Sequence, residues 1–274
     1  MSNDKLIGKH PSSDSILGEW FSSIDISFET TKKHRSLTVN DIDKSKVLEE
    51  LSRLLIDYHV HPKKRKKLVK LYEELGFKKY SDKIKDQKLI PSSDKTRKGN
   101  FGEIVLSEYL KKANDDSLLD IFRLHYNPNI EQSMKGDDVL LFKIESNVVT
   151  EIYLGESKFR AKVTKTAVDD IVKNLSESKT PISLSFVEST LYNLNQDELA
   201  EAVGYANIKL IKSNNKLKYL GIVIGGSDCE SMVSKHLKTT NENLAIISIS
   251  FDNPQSIVDD SFEFATQIIK DSPE

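Results

Sequence analysis

Two runs near the end of the chain, Leu217-Lys218-Tyr219-Leu220-Gly221-Ile222-Val223-Ile224 and Leu244-Ala245-Ile246-Ile247-Ser248-Ile249-Ser250-Phe251, constrain the fold most. A strand with one face in water alternates apolar and polar residues. These two runs are apolar almost throughout, as strands are when both faces are covered in the middle of an α/β sheet. The segments that would cover them read as helices. Phe101, Ile104, Val105 and Tyr109 share one side of a helix running to about Lys112. Ala167, Val168, Ile171, Val172 and Leu175 mark a second, and Leu199, Ala202, Val203 and Ala206 a third. Ile257, Phe262, Ala265, Ile268 and Ile269 mark a closing helix. Ile121–Tyr126 reads as a first strand, and Leu184–Val187 as a short apolar run in a polar stretch. The expected order is helix, three strands, helices, strand, strand, helix: an α/β fold with a mixed central sheet flanked by helices.

Ahead of this core, residues 1–18 read as a loose polar arm. Trp20 and Phe21 lead into Ile24-Asp25-Ile26-Ser27-Phe28, the alternation of a half-buried strand, and Thr30–Asn40 reads as a basic loop. Asp43 can cap a helix with Val47, Leu48, Leu51, Leu54 and Leu55 on its inner side. Pro62 can start another, carrying Leu68, Leu71, Tyr72 and Leu75 and ending at Gly76. Residues 77–98 are polar and Lys-rich, with Pro91-Ser92-Ser93 as a linker. The length suits one elaborated domain: a strand-plus-helices extension over 1–95 packed on a core over 96–274.

Charge is unevenly spread. Residues 1–98 hold 22 Lys+Arg against 15 Asp+Glu, or +7; residues 99–274 hold 18 against 27, or −9. The first part would attract a polyanion, and the second favours a cation site. Much of the basic excess lies in His61-Pro62-Lys63-Lys64-Arg65-Lys66-Lys67. These residues are either a solvated helix start or a patch for phosphates or a protein partner, at the helix end where the dipole disfavours cations. His59 and His61, two apart, are a weak metal motif without further His or Cys nearby. The single cysteine, Cys229, excludes an internal disulfide and suits a reducing cytoplasm. No run is long and apolar enough to span a membrane, and the N-terminus lacks a signal pattern.

The chemistry concentrates on Gly136-Asp137-Asp138-Val139-Leu140-Leu141-Phe142 and Tyr153-Leu154-Gly155-Glu156-Ser157-Lys158-Phe159, two strands with a turn at Ser146-Asn147. Residues two apart on a strand share a face, so Glu156 and Lys158 point the same way, among apolar neighbours. Charges there need a partner, and a hydrated divalent cation on hard carboxylate oxygens would be one. A two-residue turn sets Asp137 opposite Glu156, whereas a three-residue turn sets Asp138 there. Asp138 alternates with Leu140, Phe142 and Ile144, and Glu156 with Ile152 and Leu154. Matching apolar faces therefore favours Asp138, next to the helix that would bring Glu103.

Glu103, Gly136-Asp137-Asp138 and Glu156-Ser157-Lys158, in this order of elements, resemble the PD-(D/E)xK restriction-endonuclease-like nucleases. The wording Gly102-Glu103, Lys135-Gly136-Asp137-Asp138 and Leu154-Gly155-Glu156-Ser157-Lys158-Phe159 is similar to that of the HamA family, nuclease subunits of bacterial Hachiman anti-phage systems. The resemblance covers about residues 96–274, with Gly136 where the superfamily name has Pro. It implies a Mg²⁺-dependent DNase, with Mn²⁺ as a substitute ion, working with a HamB-like helicase. By that resemblance Asp138, Glu156, the Ser157 carbonyl and Glu103 would hold the metal. Lys158 would orient water and stabilise charge; outside the resemblance, the charge of Lys63, Lys64, Arg65, Lys66 and Lys67 makes them the candidates to meet nucleic acid. A non-catalytic nuclease-fold module, a repair nuclease and an RNase share these features.

Overall fold

The computed structural model describes residues 3–29, 32–76, 89–177, 181–212 and 217–271. Its strands are β1 (Phe21–Glu29), β2 (Lys32–Val39), β3 (Leu118–Leu119), β4 (Val139–Glu145), β5 (Val148–Arg160), β6 (Leu217–Gly225) and β7 (Leu244–Ser250). They form one sheet in the order β1-β2-β7-β6-β5-β4-β3. The inner strands β2, β7, β6 and β5 run parallel, and antiparallel pairs close both edges. β6 and β7 lie at the centre with nearly every residue buried, as their unbroken apolar runs require.

On one face lie α3 (Lys44–His59), α5 (Asp94–Ala113) and α10 (Pro254–Asp271), around a core with Phe101, Leu106, Leu141, Tyr153, Ile222 and Phe262. The other face carries α6 (Lys165–Glu177), α7 (Leu184–Asn193), α8 (Asp197–Lys212) and α9 (Cys229–His236), over Phe142, Leu154, Val168, Ile171, Val203 and Val223. Each large apolar side chain buried there contributes about 1.5–3 kcal/mol. α4 (Pro62–Glu74) follows α3, whose first turn is capped where Asp43 accepts from the Ser45 N–H at 2.9 Å. The α/β class with a mixed, helix-flanked sheet is as the sequence led us to expect.

Four local expectations are corrected. Residues 1–18 are not a loose arm: α1 (Asn3–Ile7) and α2 (Ile16–Trp20) bury Leu6, Ile7 and Leu17. Thr30–Asn40 is not a loop, because β2 occupies most of it with Lys33, His34, Arg35 and Ser36 buried. Each of those polar groups is partnered: Lys33 with the Glu242 carbonyl, His34 with Ser234 and Ser248, Arg35 with Asp25 and Asp4, Ser36 with Glu230. Ile121–Tyr126 is not a strand; the strand is Leu118–Leu119, and Arg123–Tyr126 forms a 3₁₀ turn. The run from Leu184 opens a helix, α7. The Lys-rich stretch over 77–88 lies outside the described residues.

The β4–β5 hairpin closes on two residues in the left-handed region, Ser146 (φ 50°) and Asn147 (φ 58°), the tight turn suited to a twisted hairpin. Glu145 pairs with Val148 and Ile144 with Val149, but Lys143 pairs with Glu151. Thr150 is thus an extra residue on β5, a bulge, and its hydroxyl donates to the Lys143 carbonyl at 3.2 Å.

Candidate active site

Beyond the bulge the pairing runs to Val139 opposite Gly155, so the next step sets Asp138 against Glu156. The Ser157 N–H donates to Asp138 Oδ2 at 2.8 Å, tying the end of one strand to the other. Glu156 and Lys158 share a face, and Lys158 Nζ pairs with Glu156 Oε1. Asn174, from α6, donates to the same oxygen at 3.0 Å.

Gly155 and Ser157 face the other way, toward α5. A Cβ on Gly102 would stand 2.0 Å from Ser157 Oγ, and one on Gly155 would stand 2.8 Å from Leu106. Only glycine lets helix and strand approach so closely. The helix carrying Glu103 therefore covers the face opposite Glu156 and Lys158, contrary to the expectation that they share a side. Glu103 approaches Asp138 from the α5 side at the start of β4, and the two carboxylates line one cavity of about 40 Å³.

Crowding of acids in a dry site shows in their proton affinities. Burial first, then the charge of Asp138, pushes the Glu103 carboxyl up to about 8, although Arg123 opposes this. Burial and the charge of Glu156 push Asp138 up to about 6. Arg123 Nη2 lies 3.1 Å from Glu103 Oε2. Asp137 has a different task. Its carboxylate accepts from the Ser183 N–H at 2.8 Å while Ser183 Oγ accepts from the Asp137 N–H at 3.2 Å, which joins the strand entry to the start of α7.

The model of the HamA family matches residues 14–265. The chain belongs to the HamA family. It is 33% identical over 263 residues to the Hachiman protein HamA of Bacillus cereus, covering 96% of this chain and 94% of that protein.

Among the described residues of this HamA-family chain, no three His, Cys, Asp or Glu side chains stand close enough, as packed, to form a metal site. The donor chemistry nevertheless fits a hard divalent cation. Among the described residues Asp138 Oδ1, Glu156 Oε2 and Glu103 Oε1 each lack a protein donor, while the other oxygen of each carboxylate is engaged. On a strand the N–H and C=O of one residue face the same neighbour, so the Ser157 carbonyl shares the edge on which Asp138 lies. A bound cation would relieve the mutual repulsion that raises Glu103 and Asp138.

The basic residues lie on α4. Lys63, Lys64, Lys66 and Lys67 are exposed, and Arg65 is half-buried, 4.0 Å from Asp57. His59 is no metal ligand in this packing: one ring nitrogen meets the Leu55 carbonyl at 2.6 Å, the other Asn100 at 2.8 Å. Burial lowers its pKa to about 4, so the ring is neutral. His61 instead lies against His125, with ring centroids 5.3 Å apart.

Sequence reasoning missed Arg123, Asn174 and Ser183. Arg123 was hidden by reading Ile121–Tyr126 as a strand. The 171/175 apolar spacing of α6 puts Asn174 beside the buried stripe, a signal too common to single out. Nothing in the sequence marks Ser183.

Proposed function

We propose that this HamA-family chain is a Mg²⁺-dependent DNase, with Mn²⁺ as a substitute ion, acting in a Hachiman anti-phage system beside a helicase subunit. The observation that carries this reading is the alignment of Asp138 with Glu156, with Lys158 on the same face and Glu103 close by. Asp138, Glu156, Glu103 and the Ser157 carbonyl would hold the ion, which when bound supplies positive charge to the phosphate and a more acidic water. Lys158 then orients the attacking water and offsets charge developing on phosphate oxygens. Asn174 keeps Glu156 turned toward this group. The Lys63–Lys67 cluster serves as the approach surface for the DNA backbone. Residues 96–274 form the nuclease core in this reading, and residues 1–95 an extension of it. Among the described residues no helix is long and apolar enough to cross a membrane. The proposed site of action is the cytoplasm.

The test is plasmid degradation in Mg²⁺ by Glu156→Gln and Lys158→Ala, with thermal unfolding alongside. Both variants should lose cleavage and keep the fold, since neither change touches an apolar contact. Undiminished cleavage by either would remove this assignment, and cleavage confined to RNA would change the substrate.

A further inference from the structure

Arg123 opens the 3₁₀ turn, and its side chain is only 12% exposed. Nη2 donates to Glu103 Oε2 at 3.1 Å and reaches the Asp138 carbonyl at 3.4 Å. Nη1 is buried with no hydrogen-bond partner among the described residues. A buried charged donor left unpaired is costly, so its retention calls for a reason.

The backbone around that nitrogen is closely set. Phe122, just before it, adopts the left-handed conformation at φ 48°, which a bulky residue seldom takes. Asp120 fixes this turn by accepting from the Phe122 N–H at 2.8 Å, and Tyr58 and Ser107 hold Asp120 in turn. Across the site Gly136 has φ +126°, and a Cβ there would stand 3.2 Å from Arg123 Nη1. The cavity of about 40 Å³, where Arg123, Glu103, Asp138 and Ser183 stand among apolar side chains such as Ile104 and Val187, has room for one small polar group.

We propose that Arg123 is a substrate-binding residue whose Nη1 donates to a non-bridging oxygen of the DNA backbone phosphate held against Asp138 and Glu103. The assignment rests on the nuclease reading above. A guanidinium suits the position because its planar fork can keep one nitrogen on Glu103 and offer the other to the phosphate. It would thus fix the carboxylate and the anion relative to each other. Lysine has no such fork.

The full-length chain is titrated with a short labelled DNA duplex in Ca²⁺, an oxygen-seeking ion used here in place of Mg²⁺, at several salt concentrations. Arg123→Gln should bind about tenfold more weakly and lower the slope of log affinity against log salt by about one, the signature of one lost phosphate contact. The Ca²⁺ concentration giving half-maximal thermal stabilisation should stay within about threefold of wild type. A wild-type salt slope together with a displaced Ca²⁺ midpoint would overturn the proposal, since Arg123 would then serve only to place Glu103. If the Gln variant does not fold, Arg123→Lys decides: about threefold weaker binding supports the fork, and wild-type affinity overturns it. Absence of metal-dependent DNA binding by the wild-type protein would instead fell the nuclease reading itself.

Discussion

Replacing Glu103 with Gln tests how the acidic cluster is balanced without relying on cleavage. In the folded, metal-free protein the carboxyl is pushed up to about 8 by burial and by Asp138, whereas the ordinary value is 4.5. Between those two pH values the folded state keeps a proton that the unfolded chain has released. Stability contributed by this group is therefore present below about 4.5 and is lost as pH rises toward 8. Each tenfold change in proton affinity is about 1.4 kcal/mol, so the ceiling on the loss is about 5 kcal/mol. Relaxation of the site and entry of water reduce this to about 1–2 kcal/mol at pH 8. Glu103→Gln has the same shape and carries no charge at any pH. Melting in a chelator should give equal midpoints near pH 5, with the variant about 2–6 °C higher near pH 8. Both proteins retain Asp138, so the difference between their curves reports Glu103 together with its coupling to Asp138. Saturating Mg²⁺ should narrow the gap by raising the wild type more than the variant, which keeps Asp138 and Glu156 but lacks the third carboxylate. Parallel curves, or a wild type more stable at pH 8, would show that the pairing with Arg123 outweighs burial and would refute the reasoning.

Asp138→Asn should abolish metal-dependent cleavage with little change in melting, because the amide keeps an acceptor for the Ser157 N–H. Asp137→Asn should only reduce cleavage and likewise leave melting nearly unchanged, since its amide oxygen can still accept from the Ser183 N–H. Asp137→Ala should lower the melting midpoint by a few degrees, as expected for about 1 kcal/mol lost at the start of α7. The opposite ranking of the two Asn variants in cleavage would exchange their roles. Replacing Lys63, Lys64, Arg65, Lys66 and Lys67 with Gln should weaken DNA binding and flatten its salt dependence. If DNA affinity instead holds and co-purification with a helicase fails, the patch belongs to a protein partner.

What the sequence made legible follows a physical pattern. β6 and β7 were legible because a doubly covered strand has almost no polar residues to disguise it. β2 was not, since Lys33, His34, Arg35 and Ser36 find their partners on α1, β1, β7, α9 and the loop before β7. No local rule separates such a strand from a solvated loop. The short 3₁₀ turn was missed for a related reason: the conformation of Phe122 is set by Asp120, which Tyr58 holds from α3. In the site, the common face of Glu156 and Lys158 was legible from the two-residue period alone. The side from which Glu103 approaches was not, because it depends on Gly102 and Gly155 admitting α5 against β5.

The register of Asp138 shows two local rules satisfied together by a third device. Ser146-Asn147 forms the two-residue turn, which in a regular hairpin would align Asp137 with Glu156. Apolar matching requires Asp138 there instead, with Leu140 and Phe142 over the same core as Leu154. The bulge at Thr150 reconciles them, since one extra residue on β5 restores the alignment above it. Deleting Thr150 should therefore be nearly silent. Val149 would follow Glu151 directly in the ladder, the pairs Ile144–Val149 and Lys143–Glu151 would both survive, and Asp138 would still face Glu156. The loss is one hydroxyl bond to the Lys143 carbonyl and some local twist, about 1 kcal/mol. The deletion variant should keep metal-dependent cleavage within a fewfold of wild type and melt only a few degrees lower. A folded variant without cleavage would show that the bulge aims the site rather than merely correcting its register.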